Sequence, residues 1–130
     1  MTMYVEFTKV ECNSMKYKNQ ETVDVVEKNY PEMTKAFLDI QREQYETFCS
    51  KQLNYGPGNI SVGTELRTPE EVKLSLTGLW FRMTDKINRL KQLVLLGHQD
   101  AVGESVADTF MDLSVYGIIA LIVSRGKWGK

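Results

Sequence analysis

One histidine, His98, is all the imidazole this chain contains. Histidine general-base or zinc chemistry therefore has little to build on, and His98 falls in an expected interhelix turn. Cysteine is almost as scarce. Cys12 and Cys49 lie far apart without the spacing of a metal knuckle, and they are read as reduced thiols. An excess of positive charge is missing too: 16 Lys+Arg against 17 Asp+Glu leave a net charge of −1. That removes the bulk electrostatic case for nucleic-acid binding, although a local basic strip can still meet phosphates. The apolar run 113–123 is too short to span a bilayer, and MTMYVEFTKVEC is neither basic nor continuously apolar as a signal peptide is. The chain is expected in the cytoplasm, without a membrane partner. No internal repeat or low-complexity tract occurs, and the loop NYGPGN lacks the Walker spacing.

What the chain does have is helical periodicity. Its 130 residues, 42% hydrophobic and 25% charged, suit one globular domain, 1–130. Residues 1–30 are expected as an arm or small β/helix piece: TMYVEFTK alternates as a short strand would, and ETVDVVEKN suits a short helix. Residues 31–130 form the helical core. Pro31 suits a helix start, and Met33, Phe37, Ile40, Gln44 and Phe48 mark one stripe. That helix is expected to end before residues 54–59, where glycine and proline interrupt it. ISVGTELR reads as a polar connector. Thr68-Pro69-Glu70-Glu71 then spells a capped helix start. Leu76, Leu79, Trp80, Met83, Ile87, Leu90 and Val94 form its expected buried seam, and Gly97 its stop. The last helix is expected from about residues 100–104 to near Gly126. The fold class is all-α: a bundle of three to four helices with a short irregular or β-like N-terminal segment.

The last helix raises a chemical question. Glu104, Asp108 and Asp112 are four residues apart and would stack on one helical face. The same helix carries two apolar stripes, Val106-Phe110-Leu113-Gly117-Ala120 and Met111-Val115-Ile118-Ile122, and reads as buried on most sides. Crowded carboxylates repel unless a cation separates them. Mg²⁺, a hard ion with oxygen ligands, is one solution. Ion pairs with Arg82, Lys86 or Arg89 on the preceding helix are the other. That preceding helix adds Asp85, nearly opposite the main seam and stacked with Phe81, Asn88 and Arg89, and open to a simple pair with Arg89. Lys51, Tyr55 and Asn59 border the glycine-proline loop, whose Gly56 and Gly58 would let backbone amides approach a ligand. Trp80 reads as core, and Trp128 as packing for the C-terminal tail.

The run KQLNYGPGNI, then LTGLWFRMTDKINRLKQLV, then ESVADTFMDLSVYGIIALI with a final GKW, resembles the nucleotide-modification-associated domain of the first type, a small and mostly phage-borne family. The resemblance covers about residues 45–130. More distantly, the C-terminal part is similar to the all-α NTP pyrophosphohydrolases, the MazG-type and dimeric dUTPase group. Those enzymes hold Mg²⁺ on E-x-x-E and E-x-x-D helices and release pyrophosphate from a triphosphate. Here the acids run E-x3-D-x3-D, the preceding helix offers only Asp85, and E-x-x-E spacing occurs at Glu43 and Glu46.

The resemblance implies a phage-type nucleotide-handling protein in the host cytoplasm that hydrolyses a (d)NTP to the monophosphate and pyrophosphate with Mg²⁺. Glu104, Asp108, Asp112 and Asp85 would hold the metal, with Asp108, Asp112 and Asp85 catalytic. Lys51, Arg82, Lys86 and Arg89 would steady phosphates, while Tyr55, Asn59 and Phe81 would meet base or sugar. A homo-oligomer, dimer or tetramer, would follow if the pocket lies between subunits. Two other readings stay open. One is a non-catalytic nucleotide binder, either an accessory to DNA base modification or a sponge for a host signalling nucleotide. The other is a structural helical oligomer whose acids pair with arginines.

Overall fold

The computed structural model describes residues 16–130. The strand expected over residues 2–9 lies outside them. Among the described residues every regular element is helical, in two units, Met1–Glu43 and Gln44–Lys130.

In the first unit α1 spans Gln20–Asn29, its N-terminus capped by the Asn19 side chain, which accepts from the Thr22 N–H. The short helix expected over ETVDVVEKN is this element. Pro31 then opens α2, Pro31–Tyr55, which continues into the second unit. The apolar stripe expected on α2 is uncovered over most of its length: Met33, Phe37 and Ile40 are exposed, and Gln44 is the residue α2 buries. Tyr17, Val23, Val26, Phe37 and Leu38 line an open apolar cleft within this first unit.

In the second unit Gly56, at φ 68°, ends α2 two residues later than the expected boundary, because Asn54 and Tyr55 still complete the last turn. The connector is not the polar loop expected. Gly58–Ser61 forms a single helical turn, α3, and Ile60 and Ser61 are buried. Thr68 caps α4, Pro69–Leu90, with the full capping box to Glu71 that its sequence announces. Lys91–Leu95 winds on as a π-helical turn, and Gly97 at φ 68° follows it. Ser105 then caps α5, Val106–Ser124. Glu104 therefore lies outside this helix, and the expected start was too early.

The core is Ile60, Leu79, Ile119, Val123 and Trp128, with Phe48, Val72, Leu76, Val115 and Tyr116 packed around it. Burying side chains of this kind contributes roughly 1.5–3 kcal/mol each, before entropy is set against it. Trp128 does more than pack a tail. Its ring meets Phe48 edge-on at 6.0 Å, and its indole N–H donates to the Pro57 carbonyl at 3.0 Å. Trp80, by contrast, is 59% exposed and not core.

Of the seam expected on α4, Leu79 alone is fully buried, while Trp80, Ile87 and Val94 are exposed. The adjacent stripe carries Ser75, Leu79, Lys86 and Arg89, spaced three, four or seven residues apart and thus on one side of the helix. This stripe makes the contacts with Ile60 and with the chain around α5. Hydrophobic periodicity locates an apolar stripe but not its cover, and here polar partners determined which side of α4 packs inward. On α5 the fully buried residues are Thr109, Ile119 and Val123, while Phe110, Ile118 and Leu121 are exposed. The expectation of a helix buried on most sides is corrected. The whole helix is 19 residues with mean hydropathy 1.8 in its most apolar window, long and apolar enough to cross a membrane by length and composition. The 11-residue run 113–123 understated it.

Candidate functional site

A cavity of ≈ 250 Å³ opens between the C-terminal half of α2, the α3 turn, α4 and α5. Helical spacing explains its walls. Thr47, Lys51 and Tyr55 follow one another at four-residue steps along α2. Asp112, Tyr116 and Ile119 follow at steps of four and three along α5, and Arg82 reaches in from α4. The α3 turn delivers Asn59 and Ile60. Of the residues singled out from sequence, Lys51, Tyr55, Asn59, Arg82 and Asp112 thus meet around one cavity.

Two cations line this space, each already oriented. Arg82 donates from Nη2 to the Asn59 carbonyl at 3.0 Å, which fixes the guanidinium at the rim and leaves its other N–H groups for a ligand. The Lys51 ammonium lies 3.4 Å from Asp112 Oδ1. Asp112 is held from its other oxygen by Lys86, at 3.0 Å.

Lys86 is the centre of a polar cluster below the cavity. Its ammonium also lies 2.9 Å from Glu104 Oε1. Burial pushes the Lys86 pKa down, but the hydrogen bonds and charges of Glu104 and Asp112 outweigh it, so the ammonium titrates above its usual value. Arg89 ties the next layer. It donates to Asp100 at 3.0 Å, to the Thr109 hydroxyl at 3.0 Å, and to the Glu104 carbonyl. The pair Asp85–Arg89 does not form, because Arg89 points to these partners instead. Asp100 accepts from the Val102 N–H and from Arg89, and both hold its carboxyl below the usual range.

The acid ladder is therefore not one ladder. Glu104 precedes the helix. Asp108 is exposed and closes the Ser105 capping box, accepting from the Ser105 N–H while its own N–H bonds the Ser105 hydroxyl. Asp112 faces Lys51 and Lys86. Asp85 is exposed on α4, outside these contacts. Among the described residues no group of three His, Cys, Asp or Glu comes together to hold a metal. The residues that the resemblance implies as a Mg²⁺ set are thus not brought together here: Glu104 and Asp112 pair with Lys86, Asp108 caps its helix, and Asp85 stands apart. Glu43 and Glu46 are exposed and do not line the cavity.

Phe81 also falls outside the site, more than half exposed on the uncovered side of α4. Phe48, Gln52, Met111, Val115 and Tyr116 line the cavity without having been singled out as site residues. Tyr116 was findable, since it lies one turn beyond Asp112 on the same face. Phe48 was not, because nothing local distinguishes a cavity wall from core.

Residues 77–123 match the family model described as nucleotide modification associated domain 1. The matched stretch is narrower than the resemblance over 45–130, and what it is similar to is a domain associated with nucleotide modification. It contains Arg82, Lys86, Arg89 and every cavity residue contributed by α5. Neither the curated proteins nor the solved structures contain a match to this chain.

Proposed function

We propose that this chain binds a nucleotide through its phosphates, without hydrolysing it, as the recognition component of a nucleotide-modification process. The observation that carries this reading is the cavity that joins Lys51 and Arg82 to Tyr55, Tyr116, Phe48 and Asn59. Two cations suit phosphate oxygens: Arg82 as a planar fork, Lys51 as a mobile point charge. Aromatic walls suit a ring. At ≈ 250 Å³ the cavity is somewhat smaller than the roughly 300–1,000 Å³ typical of ligand sites, so it would enclose one end of a nucleotide. Asp112 holds the Lys51 ammonium in place of an anion, and Lys86 neutralises Asp112 once a phosphate draws Lys51 away. The matched family model supports a nucleotide as the ligand class.

The test is calorimetric titration with a panel of NTPs, dNTPs and monophosphates, in Mg²⁺ and in EDTA, with products followed by chromatography. Binding should persist in EDTA, every triphosphate should survive, and Lys51→Ala or Arg82→Ala should weaken affinity about tenfold or more, as loss of a charged hydrogen bond does. Absence of binding across the panel would remove the proposal. Metal-dependent appearance of monophosphate and pyrophosphate would replace it with the pyrophosphohydrolase reading.

A further inference from the structure

The side of α4 turned away from the Ser75–Leu79–Lys86 stripe carries Glu70, Leu74, Thr77, Trp80, Phe81, Thr84 and Ile87, and Lys91 at the start of the π-helical turn continues it. The four large apolar members are all about half exposed or more: Leu74 48%, Trp80 59%, Phe81 58% and Ile87 54%. Their order is close to a palindrome. From either end the steps run four, three and three residues to the central Trp80–Phe81 pair. Each residue has a chemical counterpart at the mirror position: Leu74 with Ile87, Thr77 with Thr84, Trp80 with Phe81, and acidic Glu70 with basic Lys91.

A two-fold interface requires this property, because the same patch must complement itself when turned through half a revolution. We propose that two copies of this chain pair through α4, antiparallel, about a two-fold axis passing between Trp80 and Phe81. Leu74 then packs on the partner's Ile87, the rings of Trp80 and Phe81 interleave at the centre, and Glu70 meets the partner's Lys91 at both ends. Trp80 and Phe81 already lie edge-to-face within one chain, with centroids 5.1 Å apart. The pairing sets two such units against each other. The charge order makes the direction specific: a parallel pairing would place Glu70 beside Glu70 and Lys91 beside Lys91.

The size of the surface agrees. An aromatic side chain can bury roughly 150–250 Å², so four rings about half covered on association contribute around 300–500 Å². Four Leu and Ile side chains and the flanks of a helix roughly 33 Å long raise this toward about 1,200 Å², the lower limit for specific interfaces. Arg82 and the other cavity residues lie off this face, so pairing leaves the cavity open.

Sedimentation equilibrium over a wide concentration range tests the proposal on the full chain. The wild type should sediment as a dimer, and Phe81→Glu as a monomer with unchanged far-ultraviolet circular dichroism. Glu70→Lys and Lys91→Glu should each weaken the dimer, and the double exchange should restore it to within a few-fold of wild type. A wild-type monomer at all concentrations, or a dimer that survives Phe81→Glu, would overturn the pairing. A double exchange no tighter than either single change would overturn the antiparallel register.

Discussion

Lys86 on α4 holds Asp112 on α5 at 3.0 Å, and this ion pair connects the interior of the helix pair to the wall of the cavity. Both side chains are largely covered, at 19% and 23% exposure, so water screens them less than it does a surface pair. The cation between the Glu104 and Asp112 carboxylates is thus a lysine from the neighbouring helix.

Removing that lysine should destabilise the fold. Lys86→Ala leaves Glu104 and Asp112 crowded and unneutralised, and a loss of about 2 kcal/mol is expected for hydrogen bonds to charged groups of this kind. Urea unfolding monitored by circular dichroism measures it. A change within experimental error would show that water substitutes fully for the ammonium.

Asp112→Asn separates binding from catalysis. In the binding reading it removes the carboxylate that competes with phosphate for Lys51, so nucleotide affinity should rise several-fold. In a hydrolase the same change would abolish turnover. Parallel titration and product chromatography on the variant distinguish the two.

Ser75 is 1% exposed, and its hydroxyl donates to the Ile60 carbonyl at 2.6 Å. This bond ties the α3 turn, which brings Asn59 to the cavity, against α4. Ser75→Ala leaves that carbonyl without its partner in a buried site and should cost about 1–2 kcal/mol. Thermal unfolding reads the loss, and nucleotide affinity should fall with it as Asn59 loosens.

The pH dependence has a definite direction. Asp100 titrates below its ordinary value of 3.8 in the folded chain. Its contribution to stability is therefore present above the unfolded value and is lost as pH falls through the lower folded value. Wild type should exceed Asp100→Asn in stability near neutrality, with the difference shrinking below about pH 4. Lys86 behaves oppositely. Its pKa is raised above 10.5, so its contribution is present below that value and is lost only as pH rises through the higher folded one. Denaturant unfolding from pH 3 to pH 9 should accordingly show an acid limb due in part to Asp100 and none from Lys86.

Much of the local structure was legible in the letters. Thr68, Pro69 and Glu71 announced the start of α4 because capping chemistry lies within a few consecutive residues. Pro31 and Gly56 bounded α2 for the same reason, that backbone conformation is a local property. Ser105 gave the same kind of signal, S-x-x-D, but the longer-range regularity of Glu104, Asp108 and Asp112 took precedence. Asp108 consequently counted as a ligand where it acts as a cap.

The candidate site was legible only in its residue types. Lys51, Tyr55, Asn59, Arg82 and Asp112 could be named from sequence, but that they surround one cavity depends on how three helices and a loop pack. Phe81, Lys86 and Arg89 have the right chemistry for a nucleotide site, yet they lie on an uncovered face or in ion pairs.

The sequence by itself determined the long helices, the Thr68 cap and an all-α class, because hydrogen bonding and periodicity act within a turn or two of chain. Only the tertiary structure decided which face of each helix is covered. An apolar stripe gains by leaving water against any suitable surface, whereas a charge needs one particular partner at one distance. On α4 the charges found their partners in Glu104, Asp112 and Asp100. They turned the polar stripe inward, leaving Trp80 and Phe81 on the outside.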